Sequence, residues 1–535
     1  MNRRDRRRAA SAQRKGAAPA GAIAADPAVS EWLATANNLH NSNRFVEAAV
    51  VCRQVLARDR DNFEALLLHG SAADNLGEGE LARAQLERAG ALRPHDPRPL
   101  VVLGTHFTRV GDYAAALRAC QQAIALAPDF APGHAALGTL WSLQRAYDAA
   151  EPAFRRALEL APGYLDAEIN LGSCLFYLGR PEEALVPLQR ALAAVPDHPW
   201  ALKNLAATQR ALGNYEEALA AYRRATAAAP QFADAHRDEG LLLLLLGRFE
   251  EGWRKYEWRR SASTRGVRPL EGEYWDGGPL AGRSILLLAE QGAGDTLQML
   301  RYVPRIAAQA ASVKLMLPRG LLRLEGDALA PASLYAQDEA PPPFDCWAQL
   351  MSLPGLLTTT ADGIPAPIPY LRAPASAQSD VRRQIAGEGR AVGLVWAGNP
   401  EHENDHNRSI PFARLQRLLA LDGIRWFSLQ VGPRAADIAG AADVTDLAPG
   451  LSDFGETAAA IDALDLVITV DTSVAHLAGA LGKPVWLLLP HVPDWRWLLD
   501  REDSPWYPTM RLFRQVRRGD WDEVIGRVAA ELARG

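Results

Sequence analysis

The sequence predicts an α-solenoid of two-helix repeats followed by a two-lobed, Rossmann-like α/β region, and three observations carry that prediction. Pro94, Pro128, Pro162, Pro196 and Pro230 recur every 34 residues, with Gly70, Gly104, Gly138, Gly172 and Gly240 in the same register; such a period marks stacked supersecondary units. In the second half the apolar runs "SILLL", "AVGLVWAG", "IRWFSLQVG", "DLVITVD" and "PVWLLLP" alternate with helical segments, the pattern of parallel sheets covered on both faces. At 535 residues and 48% hydrophobic content, the chain needs several cores and has the apolar side chains to build them.

The first element is a basic tail, residues 1–28. Its opening "MNRRDRRRAASAQRKG" carries seven Arg or Lys against one Asp and is followed by Ala, Gly and Pro, so it reads as disordered and solvated, with a docking arm for a membrane surface or partner as the alternative. No sustained apolar core follows the charges, which argues against a signal peptide. The longest leucine run, Leu241 to Leu246, is too short for a bilayer. A net charge of -5 provides no global basic field for nucleic acid. The four cysteines have neither metal nor disulfide spacing, and Cys52 and Cys120 share a repeat position expected to be buried; a reduced, cytoplasmic protein is the expectation.

Residues 29–266 form the repeat array. Small residues recur at Ala48, Ala82, Ala116, Ala150, Ala184, Ala218 and Gly252, and bulkier ones at Cys52, Leu86, Cys120, Phe154, Leu188, Tyr222 and Tyr256. The small residues let paired helices approach, the bulky ones fill the gap, and each proline stops the second helix. The clearest copy, "PWALKNLAATQRALGNYEEALAAYRRATAAAP", resembles the tetratricopeptide repeat, and seven copies begin near Val29, Phe63, Pro97, Ala131, Leu165, Pro199 and Ala233. The first copy has Arg60 and the seventh Thr264 where the proline belongs, so both read as capping units. The resemblance implies a protein or peptide bound in a concave groove. In the O-GlcNAc transferases a similar array carries asparagines at the sixth repeat position; here that position holds Asn170, Asn204 and Asp238 but Ala34, Leu68, Val102 and Ala136 before them, so the alternative is ordinary solvated polar residues.

A linker, 267–282, is rich in Gly and polar residues and docks through Tyr274 and Trp275. Two lobes follow, 283–375 and 390–535, divided by the proline-rich interval from Pro365 to Ala377. Open α/β sheets bind ligands at the carboxyl ends of their strands, which places a shared cleft between the lobes.

Within the second lobe, a strand at Leu466 to Val470 delivers Asp471, Thr472, Ser473 and His476 to the start of a helix of small residues that stops at Gly482. Thr472 or Ser473 suits the N-cap, and the exposed N–H groups, hydroxyls and imidazole match an anion such as phosphate; the alternative is simple capping beside a packed histidine. This stretch, "VDTSVAHLAGALGKPVWLLLP", resembles the donor-site motif of the ADP-heptose:lipopolysaccharide heptosyltransferases, glycosyltransferase family 9, which have the two-lobed GT-B fold. The resemblance implies that Asp471, Thr472, Ser473 and His476 line a nucleotide-sugar diphosphate. "AEQGAGDTLQMLRYVP" resembles the family's first strand, loop and helix, whose loop ends in a general base; that residue here is Asp295, with Gly292 and Gly294 letting backbone approach a ligand. The alternative role for Asp295 is helix capping alone. Leu297 rules out a dinucleotide G-x-G-x-x-G.

In "VGLVWAGNPEHENDHNRSIPFARL" the strand is expected to end at Trp396, with Ala397, Gly398 and Asn399 forming a loop. The family places a basic residue before the next helix on the donor phosphates, a position matched by Arg408 with Ser409 nearby. His402 and His406 lack a third ligand, so no metal is expected. "FSLQVGP" directs Gln430 and Gly432 toward the nucleoside, while Trp495, Arg496 and Trp506 are read mainly as packing, with sugar or acceptor contact as the alternative.

The functional expectation is a cytoplasmic, metal-independent, inverting glycosyltransferase with no cofactor beyond its nucleotide-diphosphate sugar substrate. Its acceptor would be a protein or surface polysaccharide chosen by the repeats, with no nucleic acid partner and no transmembrane segment. Two rivals stand beside it: a sugar-nucleotide 2-epimerase of GT-B fold, which would leave the repeats without a purpose, and a non-catalytic repeat scaffold with a degenerate transferase half.

Overall fold

The computed structural model describes residues 27–262, 270–365, 367–377, 379–402 and 404–534. The basic tail up to Asp26, and Thr264 of the seventh repeat, lie outside them. The chain divides into two compact units, Met1–Pro196 and Asp197–Gly535.

The first unit contains five helix pairs among its described residues, from Pro27–Asn41 with Phe45–Arg58 to Leu165–Tyr177 with Pro181–Ala194. The first helix thus takes in Pro27 and Ala28, which composition assigns to the tail. The repeat glycines face the bulky positions directly. A Cβ on Gly138 would lie 2.7 Å from the Phe154 ring, and one on Gly104 would lie 2.7 Å from Cys120 Sγ. Cys52 and Cys120 are fully buried. Second helices end two residues before their prolines, at Leu92, Leu126, Leu160 and Ala194. Arg60 costs the first repeat nothing in this respect, because its helix also stops, at Arg58, with Asp59 in an extended conformation.

The second unit begins with the sixth and seventh repeats. The seventh consists of α1 (Ala233–Leu245) and α2 (Phe249–Tyr256), followed by a 3-10 turn at Glu257–Arg260. These repeats cluster with the α/β lobes rather than with the preceding five. The leucine run explains part of this: Leu242 to Leu245 are buried in one hydrophobic cluster with Trp253 of α2, Trp275 of the linker, Ile285 and Leu287 of the first lobe and Trp495 of the second.

Two parallel sheets follow. The first runs in the order β1-β5-β2-β3-β4, with β1 Glu273–Tyr274, β2 Ser284–Leu288, β3 Ser312–Leu317, β4 Ala332–Ala336 and β5 Cys346–Gln349. The second runs β11-β10-β9-β6-β7-β8, with β6 Arg390–Val395, β7 Ile424–Ser428, β8 Val444–Asp446, β9 Leu466–Val470, β10 Val485–Leu489 and β11 Met510–Arg514. Counted within its own lobe the second order is 3-2-1-4-5-6, the Rossmann arrangement, whose ligand crevice opens where strand order reverses. That reversal lies between β6 and β9, and in the first sheet it lies between β2 and β5. Part of the expected linker is therefore the edge strand β1, with Trp275 buried beside it. β6 stops at Val395, one residue short of expectation, because the Trp396 N–H is taken by the Gln430 side chain. Among the described residues no helix is long and apolar enough to cross a membrane.

Candidate functional site

Both reversal points carry the residues singled out in the sequence. At the end of β2 the chain turns through Gly292 into α3 (Ala293–Met299). Asp295 folds back so that Oδ2 accepts the Gly292 N–H at 2.9 Å, which closes the turn. Its Oδ1 pairs with the Arg496 guanidinium, and the carboxylate remains 23% exposed. Arg496 is itself buried and also donates from Nε to Gln298 Oε1 at 2.7 Å and from Nη1 to Asp494 Oδ1 at 2.7 Å. Asp295 is thus a cap and also the anchor of an ion-pair chain.

On the facing lobe, β9 delivers Asp471 to the start of α4 (Ser473–Ala480). Thr472 takes the N-cap position, but its side chain accepts no cap hydrogen bond; Oγ1 lies 3.2 Å from Thr469 Oγ1. Ser473 is half-exposed at the first helical position. His476 is buried, with Nδ1 2.9 Å from the Tyr507 hydroxyl and its ring stacked on Trp497 at 5.4 Å between centroids. Burial, reinforced by Arg496 and Arg301, pushes its pKa well below the ordinary 6.5, so the imidazole is neutral at pH 7. His476 Nε2 stands 4.0 Å from Asp471 Oδ1. Burial and the nearby Asp494 push the Asp471 carboxyl up to about 6, against the pull of Trp497, Arg496 and Arg408.

The loop after β6 brings the remaining residues. Arg408 donates from Nη1 to the Asp471 carbonyl at 3.0 Å and pairs through Nε with Asp405 at 3.2 Å. The Arg408 and Asp405 side chains fill the space beside Gly398, where a Cβ would lie 2.6 Å from the Arg408 guanidinium carbon. The Gly398 N–H donates to Ser409 Oγ at 3.0 Å. Asn399 is exposed and its Oδ1 accepts the Glu401 N–H at 3.0 Å, so it shapes the loop.

Gln430 lies in the loop after β7. It is 3% exposed, its Oε1 accepts the N–H groups of Trp396 and Ala397 at 3.1 and 2.9 Å, and its Nε2 donates to the Val431 carbonyl at 3.1 Å. It ties the end of β6 to the β7 loop.

The two lobes meet at the starts of α3 and α4. A Cβ on Gly294 would lie 2.8 Å from His476 Cδ2 and 3.4 Å from Ser473 Cα. Asp295, Arg496, His476, Asp471 and Arg408 therefore form one connected polar cluster. The sequence marks Arg496 chiefly as packing and does not single out Asp494 or Tyr507; the Trp- and Arg-rich "PDWRWLLDREDSPWY" is the available signal. The polar residues at the sixth repeat position bond within the array. Asn170 donates to Thr139 at 3.4 Å, and Asp238 is held by Arg237 at 2.7 Å and Lys203 at 3.6 Å.

Residues 101–164 and 164–231 each match the tetratricopeptide repeat family. The chain carries tetratricopeptide repeats. Residues 432–488 match glycosyltransferase family 9 (heptosyltransferase). This family 9 segment runs from the β7 loop to β10 and includes Asp471, Thr472, Ser473 and His476, but neither Arg408 nor Asp295. Repeats and segment together support a glycosyltransferase with a repeat scaffold. Among curated proteins, Protein FlbA of Caulobacter vibrioides is 27% identical over 317 residues, covering 52% of each chain, so the chain spans about half the length of the curated relative it matches. Among solved structures, the APC/C hetero-tetramer Cut9-Hcn1 is similar over 44% of this chain and 46% of that one, at 18% identity and a TM-score of 0.40. A thermophilic TPR protein of Thermus thermophilus is similar over 34% of this chain and 100% of that one, at 25% identity and a TM-score of 0.31.

Proposed function

We propose that the chain is an inverting, metal-independent glycosyltransferase that moves a sugar from a nucleotide-diphosphate donor to a protein or surface-polysaccharide acceptor chosen by the repeats, acting in the cytoplasm. The observation that carries this reading is the meeting of Asp295 and the start of α4 across the two reversal points, so close that a Cβ on Gly294 would lie 2.8 Å from His476 Cδ2. The acceptor hydroxyl gives its proton to Asp295 as its oxygen attacks the anomeric carbon from the side opposite the diphosphate. The bond from that carbon to the diphosphate oxygen breaks, and the configuration inverts. Charge grows on the departing diphosphate, where the first N–H groups of α4, the Ser473 hydroxyl, a His476 N–H and Arg408 are available to receive it. A neutral imidazole keeps one N–H with which to donate a hydrogen bond to that charge.

The test is a thermal-shift screen with ADP-, GDP-, UDP-, CMP- and dTDP-linked sugars. One nucleotide class should stabilise the protein, and His476→Ala should abolish that shift. Asp295→Asn should keep the shift and lose sugar transfer by about 10²- to 10⁴-fold, the usual contribution of a positioned base. Unchanged transfer in Asp295→Asn would remove the base assignment, and no shift with any donor would remove the reading.

A further inference from the structure

The seventh repeat reaches the loop that carries Asp295. On one side, the Tyr256 hydroxyl accepts the Gln291 Nε2–H at 2.8 Å and lies 3.2 Å from Gln291 Oε1. Gln291 directly precedes Gly292, whose N–H is held by Asp295. On the other side, the buried Trp253 ring meets Trp495 edge-on at 5.2 Å between centroids, and the Arg496 guanidinium lies 4.3 Å from the Trp495 centroid while paired with Asp295. Trp253 is pinned by its own Nε1–H, which donates to the Thr359 carbonyl at 3.1 Å. Arg259, in the turn after α2, donates to Glu290 at 3.1 Å, to Gln349 at 3.3 Å and to Ser352 at 2.6 Å, the residues at the ends of β2 and β5.

These contacts are more polar than adhesion requires. A buried ion pair recovers little net stability after desolvation, and apolar residues of the same volume would hold an interface as well or better. Directional bonds fix the geometry of the loop they touch. Within the repeat, α1 and α2 approach closely beside Tyr256, where a Cβ on Gly240 would lie 2.6 Å from the Tyr256 backbone nitrogen.

From this we infer that the seventh repeat is part of the candidate site, with Tyr256 and Trp253 as positioning residues that set Asp295 through Gln291 and through Trp495–Arg496. The inference rests on Asp295 being the reactive carboxylate of the proposed transfer, although its structural half can be read without any substrate. A repeat array with this wiring does more than deliver an acceptor, because its last unit determines where the base stands.

The test uses the full chain with Tyr256→Phe, which removes one oxygen and keeps the ring. Backbone hydrogen exchange should rise about tenfold across residues 289–299 and stay unchanged across 466–480, with the melting temperature nearly unaltered. Gln291→Met should reproduce the effect from the other end of the bond, and the double variant should be no worse than either single one. With a donor that shifts the wild type, turnover in Tyr256→Phe should fall about tenfold at unchanged KM for donor, the mark of a misplaced group rather than lost binding. Unchanged exchange at 289–299, or an equal rise at 466–480, would overturn the inference whether or not a donor is found. Failure of the transfer reading would show separately, as a wild-type chain that no donor stabilises.

Discussion

Asp471 is a carboxylate held where charge is unwelcome. Its side chain is 16% exposed, Asp494 faces it, and its pKa is pushed up to about 6 from an ordinary 3.8. The unfolded chain ionises more readily than the folded one, so the group is well tolerated below about pH 4 and opposes folding progressively as pH rises through 6. Asp471→Asn should therefore raise the melting temperature at pH 8 relative to the wild type, and the gain should vanish as pH falls toward 4. Scanning calorimetry across that range checks it, and a pH-independent difference would contradict the assignment. The same residue scale separates what spacing reveals from what it hides. Asp471, Thr472, Ser473 and His476 are legible because one strand and one helix carry them in a fixed order. Arg496 is not, since its partner Asp295 lies 201 residues away. The clamp made by Gln430 is equally hidden, because a polar residue after a strand suits a ligand and a buried backbone clamp equally well.

At the scale of elements, the close approach of α3 and α4 depends on a missing side chain. Gly294→Ala places a methyl group 2.8 Å from the His476 ring, and His476 is held by Tyr507 and Trp497, so the helices must part. Overpacking of this kind costs about 1–3 kcal/mol. Donor-induced stabilisation should also shrink in Gly294→Ala, because His476 and Ser473 move with α4; a thermal-shift titration compares the two proteins. The strands show which elements sequence alone conveys. β2, β6, β7, β9 and β10 are central or near-central and read as apolar runs. β1 is a two-residue edge and β8 a three-residue edge, too short for any period to register. The interval Pro365 to Ala377 reads as a plain divider, yet Tyr370 N–H donates to the Ala480 carbonyl at 3.1 Å, which ties it to the end of α4.

At the scale of the whole molecule, composition and period predict a repeat array joined by a linker to two lobes, whereas the compact units divide at Pro196 and Asp197. The reason lies in burial: the leucines of α1 and Trp253 of α2 share a hydrophobic cluster with the lobes. A chain beginning at Asp197 should accordingly unfold in one cooperative transition, while a chain beginning at Leu270 should expose that cluster and aggregate or bind hydrophobic dye. Denaturant unfolding of the two fragments tests this, and a stable, cooperative shorter fragment would show that the last repeats are dispensable to the fold.

The sequence by itself determined the repeat, its period, the small and bulky positions that let helices pair, and the strand-to-helix turns bearing Asp295 and Asp471, because each is a local pattern within some 30 to 40 residues. Only the tertiary structure decided that these turns face each other, that Arg496 pairs with Asp295, that Gln430 clamps the end of β6 and that the seventh repeat packs against the loop of Asp295. Those outcomes depend on contacts between side chains far apart in the chain, where nothing in the order of residues records which partner desolvation and packing will select.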